Sequence, residues 1–136
     1  MQQPGRCRYV SVWSLIAVAS LQVFSYSRCS TCRKALAWLV EKGIDHDVID
    51  ITETPPSRDQ LLTALKQFGD RKPLFNTSGQ SYRALGAATV KAMSDDQALD
   101  ALAADGKLIK RPFLISPSGD CLVGFKPEVW SAHLVD

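Results

Sequence analysis

The stretch LQVFSYSRCSTCRKALAWLVEKGIDHDVIDI, residues 21–51, changes its periodicity twice. LQVFSYS (21–27) is apolar and aromatic, with Leu21 and Val23 on one side, and reads as a buried strand. Beyond Cys29 the apolar residues take helical spacing. Ala35, Leu36, Leu39 and Val40 share one face, Arg33, Lys34 and Glu41 lie outside it, and Gly43 ends the helix. DHDVIDI (45–51), with Val48, Ile49 and Ile51, reads as a second strand. Two strands joined by a single helix are expected to be parallel, with a right-handed crossover. At the junction of the first strand and the helix stand Cys29 and Cys32.

Downstream, TETPPSRDQLLTALKQFG (52–69) carries its own helix start. Pro55 and Pro56 bar a helix before them, Ser57 caps, and Gln60 completes a capping box. Leu61, Leu62, Leu65 and Phe68 form the apolar stripe and Gly69 stops it. LFNTSGQSYRALG (74–86) is irregular, with a short helix from about Ser81. SDDQALDALAADG (94–106) reads as a helix capped by Ser94, with Leu99, Leu102 and Ala103 inward and Gly106 as its stop. RPFLISPSGDCLVGF (111–125) reads as a hairpin around PSGD, and KPEVWSAHLV (126–135) as a closing helix that tolerates Pro127 in its first turn. The order predicts an α/β domain of thioredoxin-like fold. It has a mixed four-stranded sheet, helices on its faces, and a helical insertion between the second and third strands.

A chain of 136 residues holds one such domain, and 46% apolar with 22% charged residues suits a globular protein. Arg6 and Arg8 supply the whole net charge of +2; the other 14 Lys and Arg balance 14 Asp and Glu. A neutral body offers no electrostatic footprint for nucleic acid, so no direct nucleic-acid partner is expected. The first twenty residues, MQQPGRCRYVSVWSLIAVAS, join two arginines to an apolar run that ends in an A-x-A-like Ala17-Val18-Ala19. They read as a signal-like leader or as residues upstream of a true start at Val18. Residues 1–20 are therefore set apart from a domain at 21–136. The run is too short and too rich in serine for a membrane span. Four cysteines, only two of them close in sequence, are too few for a disulfide scaffold and suggest a reducing, cytoplasmic setting.

A CxxC at a helix N-terminus has a physical logic. Free backbone N–H groups and the positive end of the helix dipole stabilise a thiolate. Cys29, near the N-cap, gains most and is the candidate nucleophile; Cys32, one turn in, is the candidate resolving thiol. Arg28 and Arg33 flank the pair and add positive field. Zinc would need two more ligands from Cys7, Cys121, His46 and His133, and no second CxxC or HxxxH follows, so no metal is expected. Two small buried residues are the plain alternative, which suits Cys121 better than a pair at a strand-to-helix turn. In KRPFLI (110–115), Pro112 stands before the third strand, where a thioredoxin-type fold often has a cis proline beside the cysteines. Arg111 would aim a planar guanidinium at the sulfurs, fit for an oxyanion or a carboxylate. A surface arginine at the mouth of an edge strand fits the same residues.

Five segments, YSRCSTCRKALAWL, DITETPPSRDQLLTAL, LFNTSGQSYRALG, LIKRPFLI and CLVGFKPEVW, together resemble the arsenate reductase ArsC family of the thioredoxin-like superfamily, which includes the Spx and YffB branches. The resemblance runs in order from about residue 21 to the end. It implies that Cys29 is the catalytic cysteine and Arg111 the arginine before the cis proline. The glutaredoxin-dependent arsenate reductases hold the oxyanion with three arginines. Here Arg111 matches one, Asn76 or Thr77 stands near the second, and Lys126 stands at the third. Cys32 takes the place of a serine in that branch. These departures point toward the Spx-like and YffB-like branches. The resemblance implies a thiol oxidoreductase with no bound cofactor, using glutathione, glutaredoxin or thioredoxin as electron donor, with Arg33 and Lys126 as weaker anion holders. The alternative it implies is an Spx-type redox-sensing regulator that binds the RNA polymerase α subunit.

Overall fold

The computed structural model describes residues 20–135. The expected leader, with Cys7, lies outside them apart from Ser20. Strand β1 (Leu21–Ser25) pairs in parallel with β2 (His46–Asp50) and antiparallel with β3 (Phe113–Ile115), which pairs antiparallel with β4 (Cys121–Val123). The sheet order is β2-β1-β3-β4. β1 and β3 are interior strands covered on both faces, which is why LQVF and FLI are apolar almost without alternation. β2 is an edge. Its centre, Val48, is 55% exposed, and two aspartates stand beside it within the strand. Both strands are shorter than expected. Residues 26–28 turn away toward the cysteines, and Ile51 leaves the strand to enter the core.

Helix α1 (Ser30–Glu41) crosses from β1 to β2. Its buried stripe is Cys32, Ala35 and Leu39. Val40, expected to face inward, is 71% exposed, because the stripe is centred one residue earlier and Val40 falls on its outer flank. The helix ends as the glycine suggests. Gly43 takes φ +68°, its N–H donates to Val40, and Ile44 N–H donates to Leu39. Helices α2 (Arg58–Phe68) and α5 (Asp95–Ala104) each carry a full capping box, Ser57 with Gln60 and Ser94 with Gln97. Between them lie α3 (Gln80–Leu85) and α4 (Ala87–Ala92), where one short helix was expected. Gly86, at φ +88°, breaks the run into two.

The sheet separates two cores. Phe24, Ile51, Leu61, Leu65, Leu99, Leu102 and Phe113 pack on the face toward α2 and α5. Leu21, Val23, Ala35, Leu39, Leu114, Leu122 and Trp130 pack on the other, toward α1 and the closing helix α6 (Pro127–Leu134). Gln67 of α2 extends the sheet in effect: its amide accepts from Cys121 N–H and donates to Cys121 C=O, both at 2.9 Å, on edge strand β4. Gly106, expected to stop a helix, instead begins a 3-10 turn after α5. A Cβ there would come within 1.7 Å of the Ile51 carbonyl oxygen, so only glycine lets these two backbones meet. No helix among the described residues is long and apolar enough to cross a membrane.

Candidate active site

β1 ends at Ser25 and the chain turns through 26–28 to deliver Cys29 as the N-cap of α1. Cys29 N–H donates to the Tyr26 carbonyl at 3.0 Å, and Cys32 N–H donates to Cys29 Sγ at 3.3 Å. The sulfur thus stands where an oxygen side chain usually caps, facing the open end of the helix. Burial weighs against its thiolate. Hydrogen bonds from the Cys32 thiol and backbone, and then the hydrogen bond and charge of Arg111, outweigh it, so the Cys29 pKa falls below its ordinary value. Cys32 behaves in the opposite way. Burial first, then the neighbouring Cys29, push its thiol up to about 11, although the Tyr26 backbone and the Ser25 hydroxyl pull the other way. Cys29, Cys32 and Cys121 are all free thiols.

A cleft of about 540 Å³ opens above Cys29. Thr31 of α1, Pro73, Asn76 and Gly79 line it, together with Gly124, Phe125 and Lys126. Lys110 and Arg111 also line it, and among the described residues no carboxylate does. The Arg111–Pro112 peptide is cis, as its place before β3 suggests. Asn76 is seated by its own N–H to Leu108 C=O at 2.8 Å, while its side-chain oxygen accepts from Ser78 Oγ at 3.2 Å. Lys126 is the exposed N-cap residue of α6. Lysine at two positions and arginine at one give the cleft three cations and, among the described residues, no carboxylate to neutralise them.

The structure gathers Cys29, Asn76, Arg111 and Lys126 around this cleft, with Cys32 buried behind Cys29 and buried Pro112 beneath Arg111. Two expected anion holders stand elsewhere. Arg33 donates through Nη1 to Ser27 C=O at 2.7 Å; one residue past Cys32, it has rotated to the outer face of α1 and ties down the turn before the cysteine. Thr77 lines a separate, larger hollow with Arg71, Phe75 and Tyr82, because the Asn76–Gly79 turn sends successive side chains to opposite sides. Lys110, Thr31 and Phe125 line the cleft without having been singled out as site residues. Lys110 was legible as the neighbour of Arg111, and it lines the same cleft. Among the described residues, no three or more His, Cys, Asp or Glu side chains come together as metal ligands do.

Among known proteins, this chain is 44% identical over 111 residues to the uncharacterized protein YusI of Bacillus subtilis (strain 168), covering 80% of this chain and 93% of that one. It is 33% identical over 103 residues to an arsenate reductase of Escherichia coli, covering 75% and 72% of the two. The crystal structure of a possible arsenate reductase from Streptococcus mutans UA159 superposes with a TM-score of 0.74 at 43% identity, over 79% of this chain and 92% of that one. The ArsC family model matches residues 24–133, a span that holds the cysteine turn, the cis-proline arginine and every wall of the cleft. A four-stranded mixed sheet with a capping cysteine at its first helix, read together with these matches, makes the chain a member of the ArsC family.

Proposed function

We propose that the protein is a thiol-dependent oxidoreductase, arsenate-reductase-like in its chemistry, with Cys29 as nucleophile. The observation that carries this reading is the Cys29 sulfur at the helix N-cap, beside Arg111, in a cleft lined by cations and, among the described residues, no carboxylate. An anionic substrate is drawn into such a cleft, and the thiolate waiting there is stabilised by the same field.

With a disulfide substrate, the Cys29 thiolate attacks one sulfur, forms a mixed disulfide and expels the other half as a thiolate. With arsenate, Cys29 displaces one oxygen as water and forms a sulfur–arsenic bond. Attack of a second thiol on Cys29 sulfur then releases arsenite and leaves a disulfide. In this reading Cys32, whose N–H already donates to the Cys29 sulfur, serves as that second thiol. While Cys29 is a thiolate, its charge helps hold Cys32 protonated. Once Cys29 is covalently bound that charge is gone, so Cys32 ionises more readily at the step that needs it. Glutathione from solution competes for the same sulfur. Glutaredoxin or thioredoxin would return the two electrons, in a reducing compartment such as the cytoplasm.

The test is turnover of arsenate, and separately of a small disulfide, with glutathione plus glutaredoxin or with thioredoxin as donor. Turnover that disappears in Cys29→Ser supports the reading. No turnover with either substrate under any donor, together with capture of the RNA polymerase α subunit only by the Cys29–Cys32 disulfide form, would replace the enzyme by a redox-sensing regulator.

A further inference from the structure

Arg111 is held in an unusual way. Its Nε is buried and finds no hydrogen-bond partner among the described residues. Its Nη1 makes one long hydrogen bond, 3.4 Å, to the Lys107 carbonyl. No carboxylate pairs with it among the described residues, although Arg58 has two and Arg71 has one. What lies against the guanidinium is an aromatic face: its central carbon stands 5.0 Å from the centre of the Tyr26 ring. The Lys107 ammonium approaches the same ring at 5.9 Å.

We propose that Tyr26 is a positioning residue for this site, its ring face carrying the Arg111 guanidinium and holding it beside Cys29. Tyr26 is placed for it by the chain. It is the first residue after β1, and its carbonyl accepts the Cys29 N–H at 3.0 Å. One residue therefore fixes the sulfur through its backbone and the arginine through its side chain. The device suits the chemistry. A carboxylate would hold Arg111 more firmly, but its negative charge would cancel the arginine's field and repel the thiolate. A ring quadrupole attracts the cation while adding no net charge. The orphaned Nε is consistent with this. The guanidinium sits where stacking and the neighbouring sulfur put it, not where its donors are all satisfied.

The inference rests on the reading of Cys29 as the reactive thiol, but its test needs no substrate. Alkylation of Cys29 by iodoacetamide is followed against pH by peptide mapping in the full chain, for Tyr26→Phe and Tyr26→Leu, each also made in an Arg111→Met background. Lys107, Lys110, Lys126 and the flanking Arg28 and Arg33 are the other cations near this site, Cys32 is its other thiol, and all are left unchanged. Tyr26→Leu should slow Cys29 alkylation at pH 7 about threefold and move its pH profile upward, as expected when a cation–π contact that steadies the charge is lost. Tyr26→Phe, which keeps the ring, should match the unaltered chain. In the Arg111→Met background Tyr26→Leu should change nothing further. The proposal is overturned by a Leu variant as fast as the unaltered chain, by a Phe variant as slow as Leu, or by an equal slowing without Arg111. Should Tyr26→Leu fail to fold, progressively fluorinated phenylalanines at position 26 keep the shape and drain the ring face. Rates should then fall stepwise, and a flat series overturns the proposal. Absence of turnover with arsenate and disulfides would sink the enzyme reading without moving these rates.

Discussion

At the scale of single residues, the two cysteines share one helical turn and separate in acidity. Cys29 is depressed and Cys32 is raised to about 11, so as the pH rises the first ionises ahead of the second, which stays a thiol until the pH nears 11. Iodoacetamide at pH 7 should therefore label Cys29 well ahead of Cys32 and of buried Cys121. The Cys29 rate should level off on raising the pH before Cys32 begins to react, which mass mapping across pH 5–11 would check. Arg111→Lys keeps the charge and loses the planar fork and the ring contact. Losing a charge-assisted hydrogen bond is worth about 1.5–3 kcal/mol, so kcat/KM for an oxyanion substrate should fall by roughly one to two orders of magnitude. Cys29 and Arg111 could be found in the sequence because each sits at a punctuation mark, a strand-to-helix junction and an X-Pro. Arg33 and Thr77 were misplaced for a related reason: which side of a turn a side chain takes is set by local rotation, which sequence spacing near a turn does not encode.

At the scale of elements, caps and edges do most of the specifying. Ser57 and Ser94 close reciprocal hydrogen bonds with residues three further on, and these could be read directly from S-x-x-Q. Ser57→Ala and Ser94→Ala should each cost about 1 kcal/mol in urea unfolding. The contact of Gln67 with β4 could not be read, because residues 67 and 121 meet only once α2 is folded against the sheet. Gln67→Leu would leave an N–H and a C=O of Cys121 unpaired in partly buried surroundings. It should cost about 2 kcal/mol and speed hydrogen exchange at the Cys121 amide, whereas replacing the exposed Gln80 of α3 should show neither effect. The split of α3 from α4 was equally hidden, since Gly86 within an alanine-rich run is compatible with continuing or ending a helix.

At the scale of the whole molecule, the β-α-β beginning and the hairpin end dictate a mixed sheet with one parallel pair, β2 with β1, on one side and antiparallel pairing through β3 and β4 on the other. That much follows from periodicity and connection rules. The insertion is secured differently, by backbone approach. Gly106→Ala would drive a methyl group into the Ile51 carbonyl, and either the turn after α5 or the segment after β2 must yield. Overpacking of this kind typically costs about 1–3 kcal/mol, and a drop in melting temperature with unchanged Cys29 alkylation would place the damage in the scaffold and not in the site. The aromatic corner beneath the cleft has an optical consequence. Phe125 lines the cleft and stands 4.8 Å from the Trp130 ring centre, Trp38 stands 5.9 Å from Trp130, and Trp130 Nε1 donates to Gly124 C=O, another cleft residue. Two indoles thus sit one layer behind the cleft, in contact with its lining residues Gly124 and Phe125. Occupation of the cleft should register as a shift in tryptophan emission, which gives this protein a built-in fluorophore for titrating ligands without a label.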